Sequence, residues 1–130
     1  MAALKVIKAD NREDMKEMLQ AAFKGKRFAG EPLQEIGDNS FTFEKSGGGG
    51  FAVTSVHLLT GKHRIVMHPD RIDVSTKDLK EPKVFRFEFG EGSRLLKVTA
   101  EDEDAARKLF ADVEAFRKAL VGSGVLRPSA

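Results

Sequence analysis

The stretch FAVTSVHLLTGKHRIVMHPDRIDVST, residues 51–76, decides the fold, because a strand register can be tested on it. Side chains in a strand alternate between two faces. Taking Thr60-Gly61 and Pro69-Asp70 as two-residue hairpin turns sets Leu58 opposite His63, Val56 opposite Ile65, Met67 opposite Ile72 and Ile65 opposite Val74. One face then collects Val56, Leu58, Ile65, Met67, Ile72 and Val74, and the other Ser55, His57, Arg64, His68, Arg71, Asp73 and Ser75. A one-residue slip would mix the two sets, so the clean partition supports a three-stranded antiparallel meander with one buried face. Turn chemistry supports it less well. Pro-Asp is not a preferred pair for a mirror-image turn, and a longer loop there would shift the pairing.

Upstream, SFTFEK (residues 40–45) continues the period of two, with Phe41 and Phe43 on one face. Ser46 and the four glycines that follow read as a flexible hairpin loop, or as a linker if the chain held two domains. LKVIK (4–8) suits a short opening strand, and Asp10 and Glu13 are spaced as a capping box. Met15, Met18, Leu19, Ala22 and Phe23 then recur at helical spacing, and Gly25 ends that run. Between Lys26 and Asn39 the residues Gly30, Pro32 and Gly37 break any periodicity, so this segment reads as a connection with one helical turn at most.

Downstream, VFRFEF (84–89) lines up Phe85, Phe87 and Phe89 against Val84, Arg86 and Glu88. RLLKVTA (94–100) places Leu96 and Val98 on one side and Leu95, Lys97 and Thr99 on the other. Thr99 and Asp102 are spaced as a second capping box. Ala105, Leu109, Val113, Phe116 and Leu120 form the apolar stripe of a long helix, with Arg117 and Lys118 near its end to suit the helix dipole. Acid-before-base pairs Glu103/Arg107, Asp104/Lys108 and Glu114/Lys118 cover its polar side. Gly122 and Gly124 stop it.

These patterns predict an α+β chain: an antiparallel meander sheet or partly open barrel of about six to seven strands, with a short N-terminal helix and a long C-terminal helix packed on the sheet. Residues 1–124 are expected to form a single domain and 125–130 a flexible tail. The length of 130 residues, 41% hydrophobic and 32% charged, is that of an ordinary globular domain able to bury a core.

The run from GKHRIVMHPDRIDVST through KVFRFEFG to RLLKVTAEDEDAARKLFADVEAFRKAL resembles the end of a pleckstrin-homology-type domain, in which a bent antiparallel meander is plugged by one long helix. The resemblance covers residues 51–121. The tryptophan characteristic of that helix is missing, with Leu109 or Phe110 near its place, and no basic motif lies on an early hairpin, so phosphoinositide binding is not implied. The order of elements also resembles the helix-grip fold of START-like and Bet v 1-like proteins, which would imply an apolar ligand held between sheet and helix. A plain meander packed on two helices is the third architecture left open.

A formal charge of +2 allows anionic partners without demanding them. Absence of cysteine excludes disulfides, thiolate catalysis and cysteine-ligated zinc. No segment has the apolar length of a signal peptide or membrane span, so an intracellular, cytoplasmic protein is expected. No P-loop, GxSxG, HExxH or Rossmann glycine pattern occurs, and the acids Glu101 to Asp104 are explained by helix capping, so no enzymatic activity and no cofactor are expected.

His57, His63 and His68 are the only histidines. His63 points away from the other two, and Arg64 and Arg71 beside them oppose a cation, so no metal site is expected. What remains is the polar face of the meander, where His57, Arg64, His68 and Arg71, extended by Lys62, form a basic patch tempered by Asp73. Lys24, Lys26 and Arg27 are explained by the end of the first helix. The expected function is a non-catalytic interaction module of pleckstrin-homology-like type that contacts another protein through the basic face or an edge strand. Anionic lipid and nucleic acid are permitted by charge, but exposed aromatics for base stacking are not predicted. The alternative is a helix-grip carrier of a small apolar ligand.

Overall fold

In the computed structural model the chain runs β1 (Leu4–Val6), β2 (Lys8–Ala9), α1 (Arg12–Phe23), β3 (Arg27–Phe28), β4 (Glu31–Pro32), β5 (Phe41–Lys45), β6 (Phe51–Leu59), β7 (His63–Met67), β8 (Arg71–Thr76), β9 (Val84–Phe89), β10 (Leu95–Ala100), α2 (Glu103–Gly122) and β11 (Leu126–Pro128), with short 3-10 turns at Asp38–Ser40 and Glu91–Ser93. The structure describes residues 4–6, 8–9, 12–45, 51–77 and 80–128. Asp10 of the expected first capping box and the glycine-rich loop lie outside that set.

The main sheet has seven strands in the order β10-β9-β8-β7-β6-β2, with β5 also on β6. All its pairings are antiparallel, and it does not close on itself. The fold is therefore α+β, an open antiparallel sheet with a short N-terminal and a long C-terminal helix. Val56, Leu58, Ile65, Met67, Ile72, Val74, Phe85, Phe87 and Phe89 are all buried, and α2 adds Ala106, Leu109, Val113, Phe116 and Leu120 to the same core. Phe116 is its hub. It meets Phe23 of α1 edge-on at 5.1 Å and Phe28 of β3 at 5.2 Å. Full burial of each such side chain stabilises by roughly 1.5–3 kcal/mol.

The faces of the meander are as expected, but one register is not. The β7–β8 pairing sets Met67 against Ile72 and Ile65 against Val74 around a Pro69-Asp70 turn closed by His68 N–H donating to the Arg71 carbonyl. The β6–β7 pairing instead sets Leu58 against Ile65 and Val56 against Met67, two residues from the expected register. The turn is Gly61-Lys62, because the buried Thr60 side chain draws it outward. Its Oγ1 accepts from the backbone N–H of Lys62 at 3.2 Å and of His63 at 2.9 Å. A shift of two preserves every face.

Two bulges re-aim side chains. On β6, Thr54 and Ser55 together oppose Thr42 of β5, and the extra residue turns Val53 into the core. On β10 the register shifts between Leu95 and Lys97, so Leu95 and Val98 pack against the core while Leu96 is 66% exposed. The expected split of Leu95 from Leu96 is thus inverted. Helix α2 begins three residues later than the predicted box, with Asp102 as N-cap accepting from Ala105 N–H at 3.0 Å. Thr99 and Ala100 are still paired with β9 and cannot start a helix.

The connection between Lys26 and Asn39 contains a hairpin. Ala29 and Gly30 both have positive φ, the geometry of a type I′ turn between β3 and β4, and the strained Ala29 is held by its N–H donating to Asp112 of α2 at 2.8 Å. The hairpin inserts Phe28 fully into the core. Past Gly124, where a flexible tail was expected, β11 pairs with β1, and Val125 and Leu126 are buried. Apolar residues in a terminal segment pair when a second free edge is nearby.

Candidate functional site

The pleat of the open sheet puts His57 of β6, Arg64 of β7, Arg71 of β8 and Arg86 of β9 on the face away from α2, and His68, just after β7, joins them. Across the strands His57, Val66, Asp73, Arg86 and Thr99 stand in one row. Asp73 organises the charges. Its Oδ1 accepts from Arg86 Nε at 3.0 Å and its Oδ2 from Arg71 Nε at 3.2 Å, while His68 Nε2 stands at 3.8 Å, beyond hydrogen-bond reach. Burial pushes the pKa of His68 down, Arg71 adds to this, and Asp73 and Asp70 oppose it. The carboxylate therefore serves the two arginines, and this part of the patch is a partly compensated network with Arg86 as a member not singled out from the sequence.

Lys62 stands apart from this patch. It sits in the β6–β7 turn and pairs with Glu31 of β4 at 3.6 Å, because the unexpected hairpin brings an acid there. His63 lies on the opposite, core-facing side, edge-on to Phe28 at 5.6 Å, and its buried Nδ1 has no hydrogen-bond partner. Burial lowers its pKa, with Lys62 adding to the effect and Glu31 opposing it. Among the described residues no three His, Cys, Asp or Glu side chains converge on a metal-sized site, and no helix is long and apolar enough to cross a membrane.

His57 and Arg64 differ from the rest. They line an open cleft of about 790 Å³ whose far wall is the segment 34–42, including Gln34, Glu35, Asp38, Asn39 and Thr42. That wall is tied to β6 at its start and braced from within. Gln34 N–H donates to the Leu59 carbonyl at 2.8 Å, and at Gly37–Ser40 the Gly37 N–H donates to Ser40 Oγ at 3.0 Å. Two residues of the cleft's lining, Thr42 and His57, are joined by a hydroxyl chain: Thr54 to Thr42 at 2.6 Å, Thr42 to Ser55 at 2.6 Å and Ser55 Oγ to His57 Nε2 at 2.8 Å. The β6 bulge makes it possible by presenting two hydroxyls to Thr42. Burial, then Arg64, lowers the pKa of His57, which favours the neutral imidazole. The Arg64 side chain is exposed and has neither a hydrogen bond nor an ion pair among the described residues. Asp38 is engaged with Lys16 at 3.7 Å, which leaves Glu35 as the second charge of the cleft without an ion pair among the described residues.

Of this cleft, His57 and Arg64 were legible in sequence. The strand that brings Phe41 and Thr42 beside β6 was also legible, but residues 34–39 of the wall were not, because nothing in them announces where the connection runs.

No known protein family, curated protein or solved structure matches this chain.

Proposed function

We propose that this chain is a non-catalytic interaction module of pleckstrin-homology-like type, which receives an acidic segment of another protein in the cleft between the 34–42 segment and the β6–β7 outer face. An open antiparallel sheet packed against a C-terminal helix is compatible with such a module. The observation that carries the reading is Arg64. Of the five side chains His57, Lys62, Arg64, His68 and Arg71, it alone is a charged group without a partner among the described residues, and it borders a concave surface. A guanidinium held on a rigid strand suits bidentate pairing with a carboxylate. Glu35 in the same lining disfavours a polyanion, so a protein segment with one acid fits better than nucleic acid or an anionic membrane. The space an apolar ligand would need beneath the helix is filled by side chains: Phe87 meets Phe110 at 5.9 Å and the Arg117 guanidinium lies 4.9 Å over Phe89.

Peptides selected from a random display library on the wild-type protein should be enriched in Asp and Glu, and Arg64→Glu should weaken their binding by roughly tenfold or more. Arg71→Glu, whose target is already engaged by Asp73, should weaken it less. Backbone NMR shifts on titration should cluster in residues 34–42, 57–59 and 64. Selected peptides without acids, or undiminished binding to Arg64→Glu, would remove the proposal.

A further inference from the structure

Strand β10 ends the main sheet, and among the described residues its outer edge pairs with nothing. A free edge is a template for another strand. The bulge between Leu95 and Lys97 interrupts the edge at its start, so a regular partner can pair only with the residues that follow, Lys97, Val98, Thr99, Ala100 and the adjoining Glu101. Lys97, Thr99 and Glu101 are exposed, while Val98 and Ala100 border a shallow groove of about 200 Å³ floored by Ala106 and Phe110 of α2.

We infer that the partner is a second copy of this chain, joined through a two-fold axis at Thr99. Directly opposed residues in an antiparallel pair point to the same face, which allows only registers centred on a residue of this segment. Centring on Lys97 sets lysine against lysine. Centring on Val98 pairs Leu96 with Ala100, which the bulge has placed on opposite faces. Centring on Thr99 sets Thr99 against Thr99 on the outer face and Val98 against Ala100 over each groove. It also sets Lys97 against Glu101 twice. Neither Lys97 nor Glu101 makes an ion pair within the described chain, so both are available. The contact is self-complementary and closes on itself, as a two-fold interface must. Lys97 also disfavours the register centred on itself.

Sedimentation equilibrium on the full chain across a concentration series tests this. The wild type should form dimers. Lys97→Glu and Glu101→Lys should each raise the dissociation constant by roughly tenfold, since two attractive pairs become repulsive. The double variant Lys97→Glu/Glu101→Lys should restore the wild-type value, a rescue that a change in overall charge cannot imitate. Both positions are exposed, and circular dichroism would verify that each variant folds. A chain that stays monomeric to about 1 mM, or a dimer indifferent to the single reversals, would overturn the inference.

Discussion

The β6–β7 and β7–β8 hairpins share a strand and a buried face, but their turns are held by opposite means. Thr60 fixes the first from inside the hairpin, accepting two backbone N–H groups two and three residues away. Arg117 fixes the second from α2. It is only 2% exposed, and donates from Nη1 to the Pro69 carbonyl at 2.7 Å and from Nε to Ser93 Oγ at 3.2 Å, across 48 and 24 residues. One register is set locally and the other by tertiary structure. The second should therefore depend on helix docking and the first should not.

The largest effect should come from Arg117→Ala. It removes the donors to Pro69 and Ser93 and the cover of Phe89, for a loss of about 3 kcal/mol in urea unfolding. Arg117→Met tests what is lost. Among the described residues no carboxylate lies within ion-pair distance of the guanidinium, and burial brings its pKa down to about 10, so its charge is costly where it stands. The methionine variant should keep much of the packing and lose less than the alanine one. In both, amide exchange should quicken at the His68 N–H before it does so in the β6–β7 turn. Equal protection of the two turns would show that the helix does not hold the second.

The contrast explains what could be seen from sequence. Alternation of apolar residues gave the buried face of Val56, Leu58, Ile65, Met67, Ile72 and Val74, because burial depends only on parity along a strand. Parity cannot distinguish registers two residues apart, so the β6–β7 pairing depended on a hydroxyl whose position no period reveals. The bulges at Thr54–Ser55 and Leu96 each insert one residue, which flips parity and hides Val53 and Leu95 from such a reading. Arg117 reads as a cation near a helix end, where dipole complementarity is sufficient explanation. Only the fold brings it over Phe89. The same holds for the candidate site, where Arg64 and His57 follow from alternation but the 34–39 part of the opposing wall does not.

A smaller loss is expected for Thr60→Val, which keeps the shape and removes the acceptor. Two N–H groups lose their partner in a partly buried turn, at a cost of about 2 kcal/mol. Thr60→Ser retains the oxygen and should stay near wild type. Exchange should accelerate at Lys62 and His63 while His68 remains protected, the reverse of the Arg117 pattern. A nuclear Overhauser contact between Leu58 and His63 replacing that between Leu58 and Ile65 would show that the hydroxyl selects the register as well as stabilising it.

The smallest effect separates the hairpins by pH. His63 begins the first strand pair and His68 precedes the second turn, and both have pKa values lowered chiefly by burial. A base whose pKa is lower folded than unfolded binds fewer protons in the native state. Stability is then complete above the unfolded value, about 6.5, and falls as pH drops below it toward each folded pKa. Both imidazoles are partly solvated, so the loss is modest. It should nevertheless be unequal. Two carboxylates, Asp73 and Asp70, oppose the shift at His68, whereas His63 has Glu31 alone, and protonation would demand an acceptor at a buried Nδ1 that has none. Urea unfolding at pH 7.5 and again at a pH just above the carboxylate range should therefore show a wild-type loss that His63→Gln reduces more than His68→Gln. If His68→Gln proved the more effective, the solvated turn rather than the buried strand start would be the acid-sensitive end of the meander.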